Sequence, residues 1–266
     1  MIGTELIREL VETVILSGKV KGADPCSLLL IAAPESGKTS IVLEKHCKAV
    51  QAFADITGRG IHAVLTQNRD CTHIVINDMV AVLSHRQTVN RYTISVLNAL
   101  TEEGIEKIGN PAGIQTFDFG RKGVIASITS EMSRDARYWW NKIGFTSRML
   151  PFHYSYPQEL IIKIKDAIVA NHGLTFRNDK KEEFKTPNNH CNVSISPEHE
   201  QTVRYIAEIR SMQMQEQGMR RLKQYLVLTQ SHALWRSKTH AKVADEDIEF
   251  LKQVDLFVSY ETSKAL

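Results

Sequence analysis

The chain has 266 residues, 42% of them hydrophobic, and a formal net charge of +3. That length suits one large domain or a core with a smaller companion, and the apolar share excludes wholesale disorder. The charge is too mild to mark a nucleic-acid binder by itself, although it leaves room for a local basic patch.

Four cysteines occur, Cys26, Cys47, Cys71 and Cys191, and none forms a C-x-x-C pair. Neither a zinc site nor a disulfide framework is expected, and a reducing compartment is the simpler reading. Glu5, Arg8, Glu9 and Glu12 interrupt the first apolar run, which argues against a signal peptide. No stretch reaches the roughly 18 apolar residues of a membrane span. The expectation is a soluble, cytoplasmic protein with no membrane partner.

In chain order, Thr4 to Ser17 is predicted as an amphipathic helix, because Leu6, Leu10, Val14 and Ile15 recur at helical spacing. A turn through Gly22 and Pro25 follows. Leu28-Leu29-Leu30-Ile31 is apolar without interruption, as in a parallel strand covered on both faces. Lys38 to Ala54 is expected to be helical, Ala63 to Thr66 a weak strand and Thr72 to Ile76 a strong one. Val80 to Leu100 is largely helical, Gly104 to Gly123 a run of strands and turns, and Gly123 to Ile128 another buried strand. This alternation points to a three-layer α/β domain. Beyond Pro157 the pattern is helical: Glu159 to Ala170, then Glu198 to Glu216, Met219 to Trp235 and Asp245 to Val258. An irregular, polar linker is expected near 172–197. The expected division is an α/β core at 1–157 and a small helical domain at 158–266.

Ala32-Ala33-Pro34-Glu35-Ser36-Gly37-Lys38-Thr39 follows the first buried strand and opens a helix. It matches the phosphate-loop pattern G-x-x-x-x-G-K-[ST], with Ala32 at the first glycine. In such a loop the backbone N–H groups turn inward around phosphate. Ala33, Pro34, Glu35, Ser36, Gly37, Lys38, Thr39 and Ser40 are therefore the expected nucleotide contacts. Lys38 would reach the β- and γ-phosphates, and the Thr39 hydroxyl would ligate Mg²⁺.

A second buried strand ends in Ile76-Asn77-Asp78-Met79, with one carboxylate. Asp78 either holds the metal shell or activates water with Asn77 at the metal position. A helix N-cap is a third reading of Asp78.

On these residues the chain resembles AAA+ ATPases, and within them the branch with minichromosome-maintenance helicases and bacterial enhancer-binding activators. Four further stretches carry the resemblance. Leu97 to Gly104 and the Gly/Pro-punctuated segment up to Arg121-Lys122 are similar to a helix with an acidic turn and a hairpin that touches DNA in helicase members. Lys107, Arg121 and Lys122 are candidates there, or solvated turn charges. Gly123 to Thr129 looks like the first sensor strand, with Thr129 at the water-orienting position. Gly144 to Leu150 is similar to the element carrying an arginine finger, which would make Arg148 functional only in an oligomer; its other reading is an arginine tying down the preceding loop by hydrogen bonds, and Arg134 and Arg137 are weaker candidates. Met219-Arg220-Arg221-Leu222 resembles the helical lid, whose sensor arginine, Arg220 or else Arg221, contacts the γ-phosphate.

The resemblance implies an ATPase that takes ATP and Mg²⁺ and forms a homo-oligomer, a ring, or an assembly with related AAA+ subunits. DNA or a DNA-bound protein is the expected target. A remodeller of a protein partner and a ring component that holds ATP without turnover are the rival readings. Adjacent His46-Cys47, Ser84-His85 and His190-Cys191 make poor catalytic pairs, since sequence neighbours on a helix do not face one another. Tyr138-Trp139-Trp140 is read as packing before base stacking.

Overall fold

The computed structural model describes residues 3–110, 113–170, 182–237 and 241–266. Helix α1 (Glu5–Ser17) leads into strand β1 (Leu28–Ala32), whose five residues are all buried. The period of two divides them between the faces of a sheet. Leu28, Leu30 and Ala32 join one apolar cluster, and Leu29 and Ile31 the other.

Then come α2 (Lys38–Glu44), β2 (Lys45–His46), β3 (Val50–Phe53), α3 (Gly58–Gln67), β4 (His73–Ile76), α4 (Met79–Ser84) and α5 (Gln87–Glu102). A hairpin of β5 (Ile105–Asn110) and β6 (Gly113–Phe119) precedes β7 (Gly123–Thr129), α6 (Ser130–Lys142), a single 3-10 turn at Thr146–Arg148, and β8 (Leu150–Ser155). The rest is α7 (Gln158–Ala170), β9 (Glu182–Glu183), α8 (Pro197–Met214), α9 (Met219–Ser237), α10 (Asp245–Asp255) and β10 (Lys264–Ala265).

Six strands form one parallel sheet in the order β10-β8-β1-β7-β4-β3. One face is covered by apolar residues of α1, α2, α8, α9 and α10, the other by those of α3 to α6. This is a mixed α/β fold, compatible with the three-layer expectation. Among the described residues no helix is long and apolar enough to cross a membrane. The four cysteines are free.

The helical C-terminal region shares its apolar cluster with α1 and β1. Polar contacts reinforce this union: His232 of α9 bridges Glu9 of α1 at 2.8 Å and Asp247 of α10 at 2.7 Å, and the Trp235 indole donates to Glu12 at 2.7 Å.

Several elements differ from the sequence reading. The helix expected to run to Ala54 stops at Glu44, and Val50–Phe53 is the edge strand β3. Ile41 and Val42 are the only buried apolar residues of α2. The strand expected at Ala63–Thr66 lies inside α3. Thr57 caps that helix by accepting from Gly60 N, and Ile61 and Leu65, four apart, are buried on one face. The long helix expected over Val80–Leu100 is interrupted at His85 and Arg86.

The C-terminal third is not all helical, because Lys264–Ala265 pairs with β8. Strand β8 itself is hidden in the sequence by Pro151. Proline fits because Leu150 N donates to Ser27 O on the β1 side, so the Pro151 nitrogen points the other way and interrupts no bond to β1. Of the linker expected at 172–197, residues 172–181 lie outside the described residues, as does Pro111 of the expected hairpin turn.

Candidate functional site

The loop 33–37 leaves the carboxyl end of β1, where open parallel sheets bind ligands. Its shape is a set of tight turns. Gly37 has φ +73°, and Glu35 has φ +62°, a left-handed conformation that a side chain seldom adopts. Inside the turn lies Lys38, only 8% exposed. Its ammonium donates to Ala32 O at 2.9 Å, Ala33 O at 2.7 Å and Ser36 Oγ at 3.0 Å, which uses all three donors. Burial lowers the Lys38 pKa, and the charge of Asp78 works against that shift. Ala33, Pro34, Glu35, Thr39 and Ser40 are exposed, and Ser36 is buried.

The loop is braced from β8 and the residue that follows it. Tyr154 and Tyr156 both donate their hydroxyls to Ser36 O, at 3.2 and 2.7 Å. Burial raises the pKa of both phenols, which keeps them as donors. The sequence reading missed this pair. The two-residue spacing puts both side chains on one face at the end of β8, but with that strand concealed by Pro151 the spacing carries no signal in the sequence.

Thr129 stands beside the loop, since β7 pairs Thr129 with Ala32. Its hydroxyl caps α6, accepting from Met132 N at 3.3 Å. One strand further, Asp78 caps α4 through Oδ1, which accepts from Val80 N at 2.9 Å. The Ser127 hydroxyl donates to Asn77 O, while the buried Asn77 Oδ1 has no partner. Lys38, Thr39, Asn77, Asp78 and Thr129 therefore share the carboxyl end of the sheet.

Among the described residues no group of three His, Cys, Asp or Glu side chains could hold a metal. Mg²⁺ does not require such a cage, since it is usually held by one or two carboxylates, waters and phosphate oxygens. The exposed Thr39 and the unpaired Asn77 Oδ1 beside Asp78 fit that mode.

Arg148 and Arg220 lie elsewhere. Arg148 precedes β8, whose first residue Leu150 pairs with Leu28 at the amino end of β1. Gln224 of α9 donates to Arg148 O at 2.9 Å, and Cys26 Sγ contacts Gln224 O at 3.6 Å, so the start of α9 sits there too. The length of β1, about 13 Å, separates this end from the loop. Arg220 is thus kept away from the Lys38 loop of its own chain, contrary to the expectation that it contacts a γ-phosphate from the lid. Instead Arg148 and Arg220 both pair with Glu102 at the end of α5. The hydrogen bond from Arg220, with the charge of Arg148, holds the Glu102 carboxyl below its usual range. Arg148 also donates to Gly144 O, and Arg220 to Ser147 Oγ at 2.9 Å.

Other candidates make contacts of their own. Arg221 is buried and pairs with Glu216 at 3.1 Å. Arg137 pairs with Glu261 at 2.7 Å, and Arg121 with Asp24. Trp140 is fully buried with its ring edge against Phe145.

No protein-family model matches the chain, and no curated protein matches it.

Proposed function

We propose that the chain binds ATP with Mg²⁺ through Ala33–Ser40 and works in an AAA+-type homo-oligomer, using ATP binding or hydrolysis to remodel or move along DNA or a protein–DNA complex. The carrying observation is Lys38, buried in a loop with two left-handed residues at the carboxyl end of a parallel sheet and beside Thr129. A buried ammonium bonded to its own loop's carbonyls is poised to exchange them for phosphate oxygens.

In this reading the loop amides and Lys38 hold the phosphates, and Tyr154 and Tyr156 fix the loop's shape through Ser36. Thr39, with Asn77 or Asp78, would hold Mg²⁺, which neutralises phosphate charge when bound. Thr129 orients a water. Arg148 acts on the nucleotide of a neighbour, because it stands at the opposite end of the strands from its own loop. The DNA or protein–DNA target rests on family analogy.

A second reading has its own observation. Asp78 is engaged as a helix cap and Asn77 is neutral, so the end of β4 offers one carboxylate with one oxygen in use. This favours a subunit that binds ATP and switches assembly without turnover. ATP binding and hydrolysis measured on the wild type and on Lys38→Ala, with and without DNA, separate the two. Binding without turnover in every condition sinks the motor reading.

A further inference from the structure

Strand β8 sends alternate side chains to opposite faces of the sheet. Tyr154 reaches Ser36 of the loop on one face. His153, the register partner of Ile31, reaches the face covered by α6, where its Nε2 meets the Ser130 hydroxyl at 3.0 Å. Ser130 is the first residue of α6 and directly follows Thr129, the register partner of Ala32. Ala32 O in turn accepts from the Lys38 ammonium at 2.9 Å. Since β7 and β8 flank β1, the Ser130–His153 contact spans the end of β1 at the foot of the loop that surrounds Lys38.

The two residues differ in access. His153 is only 5% exposed and its Nδ1 is buried without a partner, whereas Ser130 is half-buried. Burial, with the charge of Arg134, lowers the His153 pKa, so the ring is neutral at pH 7 and one of its nitrogens can accept a proton. With nothing bonded to Nδ1, the pair lacks the third member of a hydrolytic triad. The end of β4 offers a single carboxylate, already engaged as a helix cap. A serine with its own base is therefore better equipped than water to act as an acceptor at this end of the sheet.

We propose that Ser130 accepts the terminal phosphoryl group of the nucleotide held by the Lys38 loop, with His153 as the base that takes the serine proton, which makes Ser130 a self-phosphorylation site. This rests on the nucleotide-binding reading above. Ser130 Oγ attacks the γ-phosphorus. The Oγ–P bond forms as the bond from that phosphorus to the β–γ bridging oxygen breaks, and ADP leaves with the electron pair. The serine proton passes to His153 Nε2 and later to solvent. The product is kept by its surroundings. A phosphate on the first residue of a 13-residue helix meets the positive end of the helix dipole and first-turn amides that have no partner within the helix. Arg134, one turn further along α6, adds positive charge on the same side.

The test incubates the full chain with Mg²⁺ and ATP labelled at the γ-phosphate, measures ATP binding by the same protein, and maps acid-stable label by mass spectrometry. Circular dichroism checks that each variant is folded, and His153→Asn stands in where His153→Gln is not. The expected result is label on Ser130 in the wild type, absent from Lys38→Ala and Ser130→Ala, and formed at least about tenfold more slowly in His153→Gln. ATP binding by the wild type without label on Ser130 overturns the proposal and leaves the loop reading standing. Label that forms on Ser130 as fast in the folded histidine variant as in the wild type overturns it too. Failure of the wild type to bind ATP sinks the loop reading and the proposal together.

Discussion

Tyr156 donates its hydroxyl to the Ser36 carbonyl at 2.7 Å, tying the end of β8 to the middle of the loop that surrounds Lys38. Loss of one neutral hydrogen bond costs about 1 kcal/mol. Tyr156→Phe should lower stability by about that much in urea unfolding, and weaken ATP binding several-fold because the loop loses its brace. Tyr154→Phe, with the longer contact of 3.2 Å, should do less. Equal ATP affinity in wild type and the double variant would show that the tyrosines do not shape the site.

Asp78 combines a cap with a charge. Asp78→Ala should cost about 1 kcal/mol through the lost bond to Val80 N. Asp78→Asn keeps a capping oxygen and so should be nearly as stable as wild type. If the carboxylate serves catalysis, Asp78→Asn still binds ATP and loses any turnover. Turnover retained in Asp78→Asn would leave Asp78 as a cap alone.

His73 gives the protein an acid limit. It is fully buried at the start of β4, with one ring nitrogen against Cys26 O at 3.1 Å, and burial lowers its pKa from 6.5 to about 4. The folded chain thus takes up the proton less readily than the unfolded one. Stability from this group is complete above pH 6.5 and is lost as the pH falls toward about 4, by about 3 kcal/mol in all. Thermal unfolding against pH should show that slope, and His73→Gln should flatten it. An unchanged slope in the variant would assign acid sensitivity elsewhere.

His232 joins three helices. Its ring lies between Phe250, 4.0 Å away, and Trp235, 5.4 Å away, while its nitrogens meet Asp247 and Glu9. Asp247 is fully buried, so His232→Leu leaves a carboxylate compensated only by Arg236 and the Ala244 amide. The expected loss is about 3 kcal/mol. Chemical unfolding measures it, and a loss below about 1 kcal/mol would show that the bridge adds little.

Three buried strands were legible because Leu28–Ile31 is apolar without interruption, and Ile74–Ile76 and Val124–Ala126 are short apolar runs between turn signals, which marks cover on both faces. The phosphate-loop pattern was legible from Gly37-Lys38-Thr39 in its strand–loop–helix setting. Short windows failed where tertiary context decides. Ala63–Thr66 reads as a strand until Ile61 and Leu65 are seen to share a helix face, and Pro151 conceals β8 until the direction of its nitrogen is known. The pairing of Arg148 and Arg220 with Glu102 had no local signature. Its arginines come from a turn and a helix far along the chain, and only the fold brings them to one carboxylate.

The most direct test of the central claim is equilibrium ATP binding with Mg²⁺ to the wild type and to Lys38→Ala, each first checked for an intact fold. Wild-type binding weakened at least about tenfold by Lys38→Ala is the expected result, because the ammonium is the loop's only full positive charge. Equal affinity in the two proteins, or no binding by the wild type, would contradict a nucleotide site at Ala33–Ser40.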